Sequence, residues 1–102
     1  MEVFVKIEAY DTIVDREQIM LTRQVGGRQM QQMLESGKVK ASGMFADARG
    51  AFFVLDVDSS EELFEMLAPL SDFARIESHP IVSPEKVMEF FERDATAATT
   101  GS

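Results

Sequence analysis

The segment Ala51-Phe52-Phe53-Val54-Leu55-Asp56-Val57 decides the fold, because it is a strand with apolar side chains on both faces. Successive side chains of a strand point to opposite sides, so Phe53 and Leu55 lie on one face and Phe52 and Val54 on the other. A strand with one face in water alternates apolar and polar residues, so we expect both faces of this strand to be covered. The chain offers about two long helices, enough for one face. We therefore expect a second copy of the chain to cover the other.

The segments around this strand predict an α+β fold. Their order is β-α-β-β-α-β followed by a short helix, which is the ferredoxin-like pattern of a four-stranded antiparallel sheet with two helices on one face. Two such sheets packed face to face form a dimeric α/β barrel. We predict strands over residues 2–10, 38–46, 51–57 and 73–79, and helices over 16–36, 60–70 and 84–93. Residues 1–94 are predicted to form one domain, and the low-complexity tail 95–102 is expected to be disordered.

The first helix contains an unusual pair of glycines. Asp15 is predicted to cap this helix and Gly37 to end it. Gly26 and Gly27 lie in its middle, where each glycine costs about 1 kcal/mol against alanine. The pair therefore predicts either a break in the helix or close contact with another backbone.

The second strand is poor in large side chains. Alternation predicts Val39, Ala41 and Gly43 on one face and Ser42 and Met44 on the other. Further along the chain, Pro80 predicts that the fourth strand is an edge strand or ends there, because proline cannot donate to a ladder.

Composition excludes several classes of function. The chain has 102 residues, 18 of them acidic and 10 basic, and a net charge of −8, which disfavours nucleic-acid binding. It has no cysteine, hence no disulfide and no thiolate metal ligand. There is no apolar run long enough for a transmembrane helix, and the first residues read as a strand rather than a signal peptide. The expected location is the cytoplasm.

The stretch Gly37–Leu70 resembles the muconolactone isomerase family. The resemblance is carried by Phe53-Val54-Leu55-Asp56-Val57-Asp58-Ser59-Ser60-Glu61-Glu62-Leu63 and by Met66-Leu67-Ala68-Pro69-Leu70, with a strand and a His-Pro following. It implies a dimeric α/β barrel that assembles further, as decamers, and an enzyme that moves a proton within an unsaturated lactone without cofactor or metal. Within the strand over 38–46, the stretch Val39-Lys40-Ala41-Ser42-Gly43-Met44-Phe45 departs from the family: its only basic residue is Lys40, where the isomerases carry bulky aromatic and basic side chains.

His79 is the candidate acid/base for such a reaction. It is the only histidine, and imidazole is the side-chain group that ordinarily titrates near neutrality. Glu77 shares its face of the fourth strand, and that strand is expected to pair with the first strand, whose mixed face offers Lys6, Glu8 and Tyr10. These five residues would supply a base, an acid and a cation for an enolate. The alternative interpretation is a histidine at a strand end beside ordinary rim residues.

Two other residue sets suggest sites. Five methionines are candidates for the lining of a pocket for a flat apolar ligand, although methionine fills gaps in any core. Acidic residues around the start of the second helix are better explained by the helix N-terminus than by a cation site, so we expect no metal. The methionines are Met30, Met33, Met44, Met66 and Met88, and the acidic residues are Asp56, Asp58, Glu61 and Glu62.

The leading functional hypothesis is a cofactor-free isomerase of the muconolactone isomerase type. Its substrate would be a small unsaturated lactone or an intermediate derived from an aromatic compound or a polyketide. The first alternative is a non-catalytic ligand-binding or assembly protein on the same fold, which the few polar residues on strand 38–46 favour. The second alternative is a cofactor-independent monooxygenase. In each case the expected partners are further copies of the chain and a small hydrophobic ligand.

Overall fold

Four strands and three α-helices make up the described chain. The computed structural model describes residues 1–100, with side chains described for residues 1–97. The elements are β1 (Glu2–Ala9), α1 (Arg16–Glu35), β2 (Val39–Met44), β3 (Gly50–Asp56), α2 (Ser60–Leu67), a 3₁₀ turn (Ala68–Leu70), β4 (Ala74–Pro80) and α3 (Pro84–Thr100). This order confirms the predicted ferredoxin-like α+β fold.

The four strands form one antiparallel sheet in the order β2-β3-β1-β4. Lys6 of β1 lies opposite Phe52 of β3 on one side and opposite Glu77 of β4 on the other. The predicted pairing of the first and fourth strands is therefore confirmed. β4 is an edge strand, as Pro80 requires, and Pro80 itself pairs with Val3 at its end.

The core lies between α1, α2 and one face of the sheet. The buried residues of β1 and β3 alternate along each strand, and they pack against side chains of α1, α2 and the 3₁₀ turn. The core consists of Val3, Val5, Ile7, Met33, Ala51, Phe53, Leu55, Val57, Leu67, Leu70 and Ala74. Both long helices thus cover the same face, as predicted.

The opposite face of the sheet is covered by neither α1 nor α2. We call it the open face; it carries Phe4, Lys6 and Glu8 of β1 and Phe52 and Val54 of β3. All five side chains are half-buried. The rings of Phe4 and Phe52 stack on it, with centroids 6.1 Å apart. The open face therefore exposes an apolar patch beside charged groups.

Helix α1 begins and ends where the sequence predicts, but it is continuous. The carboxylate of Asp15 accepts hydrogen bonds from the backbone N–H groups of Glu17 and Gln18, at 2.8 and 3.3 Å. Gly37 follows the helix with φ of +76°, a conformation that glycine adopts freely. No break occurs at Gly26 and Gly27, so that explanation of the glycine pair is wrong, and within the single chain no other backbone lies close to either residue.

The faces of β2 differ from the prediction because its register shifts. Val39 pairs with Leu55, but Ala41 pairs with the next residue, Val54, so one extra residue of β2 is accommodated between them. Val39 therefore shares the helix-covered face with Ser42 and Met44, whereas Ala41 lies on the open face.

Two helix ends were also predicted wrongly. α2 stops at Leu67 and continues as a 3₁₀ turn containing Pro69, because proline removes a helical hydrogen bond. α3 does not stop near Arg93 but runs to Thr100, because the alanines of the predicted disordered tail favour helix. Residues 101–102 of that tail lie outside the described residues.

Helix α3 projects from the rest of the molecule. The chain measures 66 × 26 × 21 Å, and its radius of gyration is 18.3 Å, against about 13 Å for a compact chain of 100 residues. Phe90 and Phe91 are 56% and 61% exposed, with their rings packed edge to face. These two rings, which we call the apolar stripe of α3, are thus not covered within a single chain.

Candidate functional site

A cavity of about 370 Å³ lies between α1 and the helix-covered face of the sheet. We call it the α1 cavity. Its wall is almost entirely apolar; among the described lining residues, only Thr22, Arg23 and Arg49 have polar side chains. The remaining lining residues are Ile7, Ala9, Ile19, Gly26, Gly27, Met30, Met33, Met44, Ala48, Gly50, Ala51, Phe53, Leu70, Phe73 and Ala74.

Small residues on both walls create this space. On the sheet side, Ala9 and Ala51 share the helix-covered face with Ile7 and place little volume beneath the helix. On the helix side, Gly26 and Gly27 leave the backbone of α1 without side chains. A Cβ at Gly26 would lie 3.7 Å from Cζ of Phe73, and a Cβ at Gly27 would have no atom within 4 Å. The cavity therefore exists because small residues face each other on α1 and on the sheet.

Three of the five candidate methionines line the α1 cavity. Met30 and Met33 reach it from α1, and Met44 reaches it from the end of β2. Met66 is part of the packing around the core, and Met88 lies exposed on α3. The methionines were predicted to line a pocket, and three of the five do so.

Two arginines stand at the mouth of the cavity, and both are exposed. Nη1 of Arg49 donates to the carbonyl oxygen of Ile13 at 2.9 Å, which ties the β2–β3 hairpin to the loop before α1. The carbonyl oxygen of Arg49 accepts from the N–H of Ala9, also at 2.9 Å. The side chain of Arg23 makes no hydrogen bond or ion pair with any described residue. The Thr22 hydroxyl donates to the carbonyl oxygen of Gln18 at 2.6 Å.

The polar side chains predicted on the first and fourth strands share the open face. Nζ of Lys6 is 3.2 Å from Oε1 of Glu8, and a guanidinium nitrogen of Arg75 is 3.5 Å from the other oxygen of Glu8. Nε2 of His79 is 3.3 Å from Oε2 of Glu77. We call these five residues the polar cluster. The hydrogen bond and positive charge of Lys6, with a smaller contribution from Arg75, hold the pKa of Glu8 below its usual range.

The polar cluster and the α1 cavity lie on opposite faces of the sheet. None of the predicted catalytic residues Lys6, Glu8, Tyr10, Glu77 and His79 lines the cavity. The His79 side chain is 60% exposed in a single chain. Tyr10 follows the end of β1, and its hydroxyl makes no hydrogen bond within the described residues. Four of the five predicted residues therefore lie together on the open face, and none of them lines the cavity. The four are Lys6, Glu8, Glu77 and His79.

The acidic residues around the start of α2 are partly neutralised by a lysine. Nζ of Lys38 is 3.3 Å from carboxylate oxygens of both Asp58 and Glu62, and these contacts raise the pKa of Lys38. Ser59 caps α2 by accepting from the N–H of Glu62 at 3.1 Å. Among residues 1–97, no three histidine or carboxylate side chains converge in a way that could hold a metal ion.

The sequence interpretation missed the two arginines at the cavity mouth. Arg23 and Arg49 are isolated basic residues in a helix and a turn, and nothing in their local pattern distinguishes them. The glycine pair was the one available signal, since it marked the helix segment that borders the cavity.

Comparison with known proteins agrees with this architecture. Residues 3–95 match the model of a family described as a domain of unknown function, DUF3303. The chain belongs to this family. No curated protein sequence matches the chain. Among solved structures, the crystal structure of muconolactone isomerase is similar, with a TM-score of 0.65 and 20% sequence identity over 82% of this chain and 92% of the isomerase chain. That similarity confirms a related fold for this DUF3303 member.

No helix in the described part of this DUF3303 chain is both long and apolar enough to cross a membrane.

Proposed function

We propose that this protein binds a small, flat, largely apolar molecule in the α1 cavity and works as an assembly of identical chains. The observation that carries the proposal is the apolar cavity bordered by Gly26 and Gly27. Ligand sites in proteins commonly have volumes of about 300–1,000 Å³ and apolar walls with a few polar groups. The α1 cavity has both properties.

The glycine pair supports a role for the empty space. Each glycine inside a helix costs about 1 kcal/mol against alanine. Packing does not require either residue, because a Cβ at both positions meets no atom closer than 3.7 Å. The two glycines lower the stability of α1 but leave a cavity wall without side chains. A flat ligand can lie on this wall, which would explain why glycine occupies both positions.

The chemistry of the wall favours binding over catalysis in this cavity. None of its described lining residues is a histidine, lysine, tyrosine or carboxylic acid. The Thr22 hydroxyl is engaged with the α1 backbone. General acid–base catalysis requires a titratable group within hydrogen-bond reach of the reacting proton. The α1 cavity therefore suits a binding protein.

The test is a titration of the ¹⁵N-labelled protein with two flat probes of the same shape, neutral 2-naphthamide and negatively charged 2-naphthoate. We expect at least one probe to cause saturable shifts of the Gly26, Gly27 and Ala51 amide signals. Gly27→Leu should weaken binding by filling the space beside α1. Gln24→Leu is the matched control, because Gln24 is exposed on the same helix and does not line the cavity. Absence of saturable shifts with both probes would contradict the proposal.

A second candidate function is the cofactor-free isomerisation of an unsaturated lactone at the open face. The observation that favours it is the polar cluster, in which a histidine, two carboxylates and a lysine lie on neighbouring strands. A second copy packed on this face would exclude water from the cluster and strengthen its electrostatic interactions. In this reading His79 is the acid/base, Glu77 orients its ring, and Lys6, Glu8 and Tyr10 are the further candidates.

The isomerase candidate is tested with muconolactone as substrate. His79→Ala should lower turnover by about 10²–10⁴-fold, the usual contribution of a general acid or base. Glu77→Gln should cost less. Ser78→Ala is the control, since Ser78 lies between them and pairs with Val5. If turnover survives His79→Ala, the acid/base is not His79, and Lys6, Glu8 and Tyr10 become the candidates. If the unmodified protein shows no turnover of muconolactone, the result favours the binding function over the isomerase.

A further inference from the structure

We infer that the ligand of the α1 cavity is a flat monocarboxylate, whose acid group is held by Arg23 and Arg49 at the mouth and whose apolar part lies against Gly26 and Gly27. This inference rests on the proposed binding function. It adds the charge and the orientation of the ligand.

The charge of the cavity lining is opposite to that of the whole chain. The protein has 18 acidic and 10 basic residues, yet the described lining residues of the cavity include two arginines and no aspartate or glutamate. A net charge of −8 repels anions from most of the surface. A local pair of cations beside an apolar space is therefore the feature that would attract an anion to this place.

Arg49 is held in position without being neutralised. Its Nη1 donates to the carbonyl oxygen of Ile13, which uses one of the five N–H donors of the guanidinium. No described carboxylate pairs with it. A guanidinium that is fixed by a backbone carbonyl and keeps its remaining donors is suited to bind a carboxylate, because little side-chain freedom is lost when the anion arrives.

Arg23 lies next to the glycine pair. Residues three and four apart are neighbours on a helix surface, so Arg23 is adjacent to Gly26 and Gly27 on α1. Its side chain makes no hydrogen bond or ion pair with any residue of the described chain, although it lines the cavity. The same stretch of helix thus offers a bare backbone for a ring system and a free guanidinium for an acid group.

The distribution of the polar groups sets the orientation. Arg23 and Arg49 are exposed, whereas Met33, Ala51 and Phe53 are buried and line the interior of the cavity. Carboxylates form paired, charge-assisted hydrogen bonds with arginine, and aromatic or unsaturated carbon skeletons pack on apolar walls. An aromatic or unsaturated monocarboxylate fits both the arginines at the mouth and the apolar interior of the cavity. A dianion would place its second charge in the apolar interior, which is unfavourable.

The experiment compares 2-naphthoate with 2-naphthamide on the full chain, by calorimetry and by the Gly26 and Gly27 amide signals. We expect naphthoate to bind at least about tenfold more tightly than naphthamide, in line with hydrogen bonds to charged groups. Arg23→Gln and Arg49→Gln should each weaken naphthoate binding about tenfold and weaken naphthamide binding much less, because the amide carries no charge. Arg28→Gln is the matched control, because Arg28 is exposed on the same helix and does not line the cavity.

The outcomes separate this inference from the proposed function. Equal binding of the two probes, or naphthoate binding that neither arginine variant weakens, would overturn the assignment of an anionic ligand while the cavity remained a binding site. Failure of both probes to shift the glycine signals would overturn the proposed function as well. An equal loss with Arg28→Gln would show a general effect of charge and would also overturn the inference.

Discussion

A methyl group on Gly26 would lie 3.7 Å from Cζ of Phe73, which is ordinary van der Waals contact. The side chain of Phe73 therefore leaves room for alanine in the middle of α1. At Gly27 there is more room, since no atom lies within 4 Å of a Cβ. Neither residue is glycine because of crowding, and both have negative φ.

We accordingly predict that Gly26→Ala stabilises the ligand-free protein. The free energy of unfolding should rise by about 1 kcal/mol, because alanine favours helix over glycine by that amount. Urea denaturation followed by circular dichroism measures it. Gly37→Ala is the control and should lower stability, because Gly37 has φ of +76°. A Gly26→Ala variant less stable than the natural sequence would contradict the prediction.

The ion pair between Lys6 and Glu8 predicts a specific pH dependence. The pKa of Glu8 is lowered in the folded protein, chiefly by its hydrogen bond with Lys6. The stabilisation from this pair is therefore present above the unfolded pKa of about 4.3 and is lost as the pH falls through the lower folded pKa. Lys6→Met should return the titration of the Glu8 carboxyl carbon, followed by ¹³C NMR, toward its usual range. Lys40→Met is the control, because Lys40 lies beside Asp56; an unshifted Glu8 titration in Lys6→Met would contradict the assignment.

Much of the fold could be predicted from local sequence rules. Asp15 and Gly37 bound α1 as expected, because capping and left-handed backbone conformations depend on the residue itself. The two-faced apolar pattern of β3 predicted that both of its faces are covered; the helix-covered face is confirmed, since Phe53 and Leu55 are buried, and a covering of the open face, on which Phe52 lies, stays a prediction.

The remaining features depend on tertiary structure. Alternation cannot reveal the register shift between Val39 and Ala41, because a bulge is set by pairing with β3. The α1 cavity is formed by residues far apart in sequence, such as Arg23 and Arg49, so no local pattern predicts it. Pairing of β1 with β4 could be predicted, and this is why Lys6, Glu8, Glu77 and His79 were correctly placed on one face.

Helix α3 is predicted to pack against a neighbouring chain. Its Phe90 and Phe91 are more than half exposed, and exposed apolar surface of this kind marks an interaction site. The double variant Phe90→Gln/Phe91→Gln, and deletion of residues 84–102, should lower the oligomer order measured by light scattering. Glu89→Gln/Glu92→Gln is the control, on the same helix without loss of apolar surface. Unchanged assembly in both altered proteins would contradict the prediction.

The open face is predicted to be the contact between two copies of the chain. Phe4, Phe52 and Val54 form an apolar patch on it, and neither α1 nor α2 covers that patch. Val54→Asp should separate the copies, because a sheet-to-sheet contact would bury an unpaired charge at a cost of several kcal/mol. The single chain should keep its fold, because Val54 points away from the core formed by Phe53 and Leu55.

Sedimentation and circular dichroism together test this last prediction. We expect the natural protein to sediment as a dimer or larger assembly at micromolar concentration, and Val54→Asp to shift it to smaller species with an unchanged far-ultraviolet spectrum. Val14→Asp introduces the same charge at an exposed position before α1 and should leave the assembly intact. A natural protein that is monomeric at micromolar concentration would disprove the prediction. A Val54→Asp variant that remains fully assembled would instead place the contact on another surface, of which the apolar stripe of α3 is the next candidate.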